Sequence, residues 1–443
     1  MLSPSTSDDR PRRLPLVVLI LAALAVRLAW ALAQPVTDES IDRLPDQREY
    51  LALGRNLLHG QGLKFFDPRF GDEVWAYRTP GYPLLVVACG GSVRAVRVAQ
   101  AFIDTSTVLA VYLLARRWLA PGASLVAAAI VAANPFLIYF TGLVLTETLF
   151  TAMLAWGMYL VLGRSTDGRP AGWGGTLLWL AGVAVLALAI LVRQSGIGLP
   201  LVLGVAGALV NRAGGTPYHR RWPLPVGATV VVVTFLVLLP WAWRNYRVLG
   251  EWVWTTTNGG ITAYDGLNPD ATGASDQSFT ANMPELRQMD EVRRSEYLSD
   301  LAKQFVRQQP RRVVELAALK AGRMWSPVPL SQEYGGWKYR TVGLLYTLPL
   351  YLLALLGLLR GGAGGGRLPR AAKVYLLLPS IYFTAVHMIS VGSLRYRIPA
   401  EPPMAVIAAS AAALPAASFR RVAQGRGSER GLDVSDNTGA GDN

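Results

Sequence analysis

Long apolar stretches recur along almost the whole chain, and nothing else in the sequence restricts its fold so strongly. A helix rising 1.5 Å per residue needs about 17–25 largely apolar residues to cross the hydrocarbon core of a bilayer. Apolar segments fall at Leu14–Ala33, Ala95–Trp118, Ala123–Phe140, Leu143–Gly163 and Trp173–Val192. Five more follow at Gly196–Val210, Leu224–Trp243, Thr341–Arg360, Val374–Val391 and Ile398–Pro415. The expectation is an all-α polytopic membrane protein, a bundle of about ten transmembrane helices. Composition agrees: 52% of the 443 residues are hydrophobic and 16% charged, against about 25% charged in soluble domains. The first segment has the look of a signal peptide. It lacks a convincing small-residue cleavage site and runs on into further spans, so it reads as a retained helix.

The net charge of +14 raises the question of nucleic acid, but the location of the arginines answers it. They cluster at short loops, where basic residues report membrane orientation rather than a polyanionic partner. With Arg10, Arg12 and Arg13 placed in the cytoplasm, the clusters Arg116/Arg117, Arg164/Arg169 and Arg212/Arg220/Arg221 all fall inside. So do Arg360/Arg367/Arg370/Lys373 and Arg420/Arg421/Arg426/Arg430. This holds only if Gly81–Gly91, too short to span, is a re-entrant or surface helix. The resulting organisation is a cytoplasmic N-terminus (1–13), a membrane module (14–416) and a cytoplasmic, disordered tail (417–443). Gly361–Gly366 reads as a flexible cytoplasmic loop. The single cysteine, Cys89, rules out an internal disulfide and any Cys-based metal cluster.

Two long segments then face outward, at 34–94 and 244–340. The second holds the turn-rich Tyr264-Asp265-Gly266-Leu267-Asn268-Pro269 and an amphipathic stretch from Glu291 to Met324. The outer face collects Asp46, Glu49, Arg78, Glu147, Arg193, Arg244, Arg395 and Arg397. Charges at or inside membrane spans are costly and commonly functional; the alternative is arginine snorkelling at helix ends. The positive-inside bias disfavours arginine at outer ends, yet several outer ends carry one. Arginine binds phosphate through a planar fork that never loses its charge. A phosphate at this level of a membrane implies a lipid phosphate, and a carboxylate beside it suits deprotonation of an acceptor hydroxyl as the phosphate leaves.

The order of motifs resembles the GT-C glycosyltransferases of the protein O-mannosyltransferase and lipid A aminoarabinose transferase superfamily. The matching pieces begin with Asp46-Gln47-Arg48-Glu49-Tyr50, Arg78-Thr79-Pro80-Gly81-Tyr82-Pro83 and Asn134-Pro135-Phe136. They continue with Leu145-Thr146-Glu147-Thr148-Leu149-Phe150, Leu191-Val192-Arg193, Pro240-Trp241-Ala242-Trp243-Arg244-Asn245-Tyr246 and Arg395-Tyr396-Arg397-Ile398-Pro399. The resemblance spans roughly Arg27 to Met404 and implies a polyprenyl-phosphate sugar donor, inversion at the anomeric carbon, and an active site on the extracytoplasmic side of the cell membrane. It implies Asp46 as general base and Glu147 as the second acid, with Arg193, Arg244, Arg395 and Arg397 at the donor phosphate. Glu49, Tyr50, Arg78 and Tyr82 would position substrate. The acceptor, a lipid, glycan or protein hydroxyl, is left open, because the loop after Arg244 carries no acceptor signature. The large soluble C-terminal domain of some relatives is missing.

Other features point less far. Asp38, Glu39 and Asp42 could compete with Asp46 but read better as a solvated face. His59, His219 and His387 are too dispersed for a metal site, and His387 reads as a packed, hydrogen-bonded histidine. Some GT-C relatives use a divalent cation; Asp46 and Glu49 alone do not specify one. Trp241, Trp243, Trp252 and Trp254 fit an interfacial aromatic belt better than a sugar-stacking platform. A transporter or flippase of lipid-linked sugars is the rival class, expected to show mid-membrane charges and paired repeats. A polysaccharide ligase with a lipid pyrophosphate donor is another, without an acid in the first outer loop.

Overall fold

The computed structural model describes residues 10–163, 173–213, 225–330, 336–360 and 367–412. Arg164, Arg169, His219, Arg220, Arg221, the loop 361–366 and the tail with Arg420, Arg421, Arg426 and Arg430 lie outside them. The described chain is almost wholly helical, with one two-stranded hairpin, β1 (Phe65–Asp67) and β2 (Asp72–Val74). Helices form at each of the ten expected apolar segments, from Arg10–Ala33 to Glu401–Ala412. Among the described residues, six helices are long and apolar enough to cross a membrane, or seven if the bent pair Pro121–Ala132 and Pro135–Thr141 is one span. About ten full crossings is therefore more than helix length alone supports. Glu147–Leu160 is short, and the described part of the last apolar segment, Glu401–Ala412, is interior: every residue from Glu401 to Ala411 is buried.

Glu401–Ala412 is the axis of the bundle, packed against Pro121–Ala132, Trp337–Leu359 and Arg370–Ile389. Its alanine-rich surface lets neighbours approach closely, as small residues do in membrane bundles. At Gly357 a Cβ would stand 2.2 Å from the Ile407 carbonyl oxygen, so only glycine permits this crossing.

The break in the bent span is built from charges. Pro135 cannot donate a backbone hydrogen bond, and the axis turns by 52° there. The carbonyls of Val131 and Ala132 at the break accept from Arg27 Nη2 and Nη1 at 3.2 and 3.1 Å, while Arg27 Nε pairs with Asp104 at 2.5 Å. On the other side of the break, Asn134 Oδ1 caps the next helix through the amides of Phe136 and Leu137. Its Nδ2 donates to Glu401 at 2.6 Å, and Glu401 pairs with Arg397 at 2.8 Å. The Asn-Pro-Phe motif is thus a helix break stitched to the central helix.

The helices share a polarity. Arg116, Arg212, Arg360, Arg370 and Lys373 sit at one end, where Lys373 donates to Leu358 O and Arg360 to Ala411 O. The other ends meet the two outer segments. There Pro45–Leu58 packs with the hairpin and Gly81–Ala88, and Glu291–Gln308 packs with Gly259–Gly266 and Pro310–Trp325. A small core of Leu53, Phe65, Phe70, Val74, Ile261 and Leu298 joins the two segments. Glu291 fastens it, accepting from the amides of Trp75 (2.9 Å) and Ala76 (3.2 Å) and from Thr257 Oγ1 (2.8 Å). The eight-residue helix Gly81–Ala88 does not span; Gly81 donates its amide to Leu191 O at 2.7 Å, with no room there for a side chain.

Removing one partner of a buried ion pair strands the other charge, at a cost of about 3–5 kcal/mol. Arg27→Met is expected to lower the melting temperature in detergent markedly. The double variant Arg27→Met/Asp104→Leu should recover most of that loss, and thermal melts of the three proteins check it.

Candidate active site

Where the cavity-facing helix ends meet the outer segments, the structure encloses a cavity of about 1660 Å³. Its acidic wall begins with Pro45–Leu58, a helix with proline at its first position and Asp46 in its first turn, where the helix dipole favours an anion. Gln47 fixes this helix start to the bundle. Fully buried, it donates to the carbonyls of Ser40 and Ile41 and accepts from the Val144 amide at 2.9 Å. Asp46, Glu49 and Tyr50, spaced by three and four, share the helix face turned to the cavity.

Three arginines from three other parts of the chain meet these acids. Arg78 binds Asp46 Oδ1 at 2.6 Å and Glu49 Oε2 at 2.7 Å, and lies over the ring of Tyr50. Arg395 spans two carboxylates, with Nη2 3.1 Å from Asp46 Oδ2 and Nε 2.6 Å from Glu147 Oε1. Arg193 reaches the same Glu147 oxygen at 3.3 Å through Nη2. Its Nη1 is buried without a partner, on a residue that lines the cavity. Tyr396 sets the spacing of the arginines: His387 stacks on its ring at 3.9 Å and 4°, and Arg193 lies 5.1 Å from the ring centre. His387 is buried and shares a 3.1 Å hydrogen bond with Ser390, as expected of a packed histidine, and it also lines the cavity.

Burial alone would raise the Asp46 carboxyl. The guanidiniums of Arg78 and Arg395 outweigh it and hold the group well below the usual carboxylate range. Glu49 behaves oppositely: burial raises its carboxyl, the Arg78 guanidinium it holds is shared with Asp46, and that of Arg69 stands farther off at 3.7 Å. Asp46 is thus the stronger acid of the pair. Both of its oxygens already hold guanidinium, and among the described residues no three His, Cys, Asp or Glu side chains converge as metal ligands. The arrangement does not fit a divalent cation.

Asp46, Glu49, Tyr50, Arg78, Arg193 and Arg395 line the cavity, and Glu147 lies just behind it. Three expected site residues lie elsewhere. Arg397 is fully buried, bonded to Glu401, Thr347 and Ser326 O; successive 3₁₀ turns on either side of it aim it away from Arg395. Arg244 donates to the Trp75 and Leu63 carbonyls at 2.8 Å each, tying its helix to the hairpin segment. Tyr82 is buried and donates to Gln100 at 2.8 Å. Asp42 stands at the cavity rim paired with Arg48, and Asp38 and Glu39 are solvent-exposed. Trp243 and Trp252 are about half exposed outside the cavity, consistent with an interfacial belt.

Residues 84–241 match the family described as dolichyl-phosphate-mannose-protein mannosyltransferase. That span contains Glu147 and Arg193 but neither Asp46 nor Arg395. No curated protein is significantly similar in sequence. Among solved structures, the oligosaccharyltransferase AglB of Archaeoglobus fulgidus, with an inhibitory peptide and a dolichol-phosphate, superposes with a TM-score of 0.55. The two are 15% identical, over 98% of this chain and 53% of that one. The same archaeon's oligosaccharyltransferase tethered to an acceptor peptide gives 0.54 at 14% identity, over 96% and 51%. The fold is GT-C-like. ArnT from Cupriavidus metallidurans bound to undecaprenyl phosphate is 17% identical over 92% of this chain and 80% of that chain, with a TM-score of 0.42. This GT-C-like chain spans about half the length of the oligosaccharyltransferase chains it matches.

A carboxyl whose folded-state value is lowered lends stability that is complete above the unfolded value, about 4, and is lost as pH falls toward the lowered one. Melting curves of detergent-purified protein between pH 6 and pH 2 should therefore decline more steeply for the wild type than for Asp46→Asn.

Proposed function

We propose that this protein is a glycosyltransferase that moves a sugar from a polyprenyl-phosphate donor to an acceptor hydroxyl at the extracytoplasmic face of a cell membrane. The observation that carries this reading is the position of Arg395 and Arg193. Both guanidiniums line the cavity beside an ionised carboxylate, and Arg193 keeps a buried N–H without a partner. An anionic phosphate would satisfy that donor and compete with Asp46 for Arg395. Withdrawing one of the two guanidiniums that hold Asp46 down returns its carboxyl toward the ordinary range, so donor binding itself makes Asp46 a better base.

In the step that follows, Asp46 takes the acceptor's hydroxyl proton and the oxygen attacks the anomeric carbon from the face opposite the phosphate. The C–O bond to phosphate breaks, the phosphate leaves with the electron pair, and the configuration inverts. Arg193 and Arg395 meet the developing charge in a site largely withdrawn from water, where such contacts count most. Glu147, bonded to both arginines, positions them. The family match at residues 84–241 and the GT-C-like fold support this reading. The basic helix ends opposite the cavity support the outward orientation.

Purified protein incubated with a panel of polyprenyl-phosphate sugars and candidate acceptors should release polyprenyl phosphate. Asp46→Asn keeps size and much of the hydrogen bonding but cannot accept the proton, so turnover should fall by about 10²–10⁴ while donor binding persists. No release by the wild type with any donor would sink the reading.

The phosphate contact separates cleanly from fold. Arg193→Ala is expected to weaken donor binding by about 1.5–3 kcal/mol, the scale of a charged hydrogen bond; Lys, lacking the fork, should rescue it only partly. Titration with the same donors measures both.

A further inference from the structure

Next to Arg193 the cavity wall changes character from ionic to neutral polar. Gln194 and Ser195 form the 3₁₀ turn that follows it, and Thr255, Thr256 and Asn258 face them from the segment before Gly259–Gly266. Thr256 Oγ1 donates to Gln194 Oε1, joining the two sides of the patch. Two side-chain atoms in this patch are buried without a partner: Ser195 Oγ, and Oδ1 of Asn258, a residue only 8% exposed. Both belong to residues that line the cavity. A buried polar atom left unpaired costs about 1–3 kcal/mol, and native structures leave few of them. Here two, with the unpaired Arg193 Nη1, belong to residues that line the same cavity.

The backbone under these groups is held firmly. Tyr382 donates to Ser195 O at 2.8 Å and accepts from the Gly198 amide at 2.9 Å. Beside Asn258, Thr257 bonds the Ala76 carbonyl and the Glu291 carboxylate. A rigid set of uncharged donors and acceptors with no carboxylate or cation among them suits uncharged hydroxyls. Because the patch is continuous in sequence with Arg193, a group bonded to it sits beside whatever anion Arg193 holds.

We infer that Ser195 and Asn258, with Gln194 and Thr256, form the subsite that binds the hydroxyls of the donor sugar and so select which sugar is transferred. This rests on the glycosyl-transfer reading above. It assigns the donor a neutral sugar rather than a uronic acid or amino sugar at this wall.

The test varies donor and enzyme together against a fixed acceptor. Polyprenyl-phosphate mannose, its glucose and galactose stereoisomers, and the 2-, 3-, 4- and 6-deoxy forms would be compared at subsaturating concentration by release of polyprenyl phosphate. Ser195→Ala removes only a hydroxyl, and Asn258→Leu keeps the size while losing the amide. At least one deoxygenation should cost the wild type about 10-fold in kcat/KM and cost one of the two variants nothing further. Binding of polyprenyl phosphate without sugar should be unchanged in both variants. Wild-type turnover that is indifferent to every deoxygenation, or is equally sensitive in wild type and variants, overturns the inference and leaves glycosyl transfer standing. Equal weakening of sugar-free polyprenyl phosphate in both variants overturns it too, because the groups would then serve the phosphate or the fold. A wild type inert toward every donor overturns both readings together.

Discussion

Arg395 ties together three parts of the chain. Its guanidinium joins Asp46, on the first outer segment, to Glu147, at the head of an interior helix, from a turn that leads into the central helix. Coulomb attraction of this kind is weak in water and strong where water is sparse. It therefore does its work only because the outer segments close over the bundle and shield it. The site exists only when both are folded.

The same logic runs deeper in the bundle. Arg27, Asp104, Asn134, Arg397 and Glu401 form buried polar links at the level of the broken span. They stabilise little by their charge, since desolvation offsets most of the attraction. What they supply is a fixed bend. With carbonyls at 131 and 132 capped by Arg27, the span can turn at Pro135 without leaving backbone groups open, and the central helix is held in register beside it.

Much of this was legible in the sequence, for identifiable reasons. Apolar length marks helices, so each expected segment carries one. Burial inside protein leaves no such mark, and Glu147–Leu160 is shorter than the apolar segment Leu143–Gly163 that contains it. Asp46, Arg78, Arg193 and Arg395 were placed at one end by the sidedness of the basic loops, and they do converge. Arg397 and Arg244 carry the same signal of an arginine at an outer end, yet serve the fold. What separates them is backbone direction over two or three residues, which composition does not encode. The Tyr396–His387 stack joins residues from separate elements, and only the folded chain shows that they touch.

Glu291 has a consequence of a different kind. One carboxylate accepts from the backbone of the first outer segment and from Thr257 of the second. Neither segment can be traded for another protein's without the other, because an unmatched graft would leave that carboxylate facing nothing. Diversification of such a protein would then proceed by paired exchange of both loops, or by single side chains along the cavity wall that leave this joint untouched.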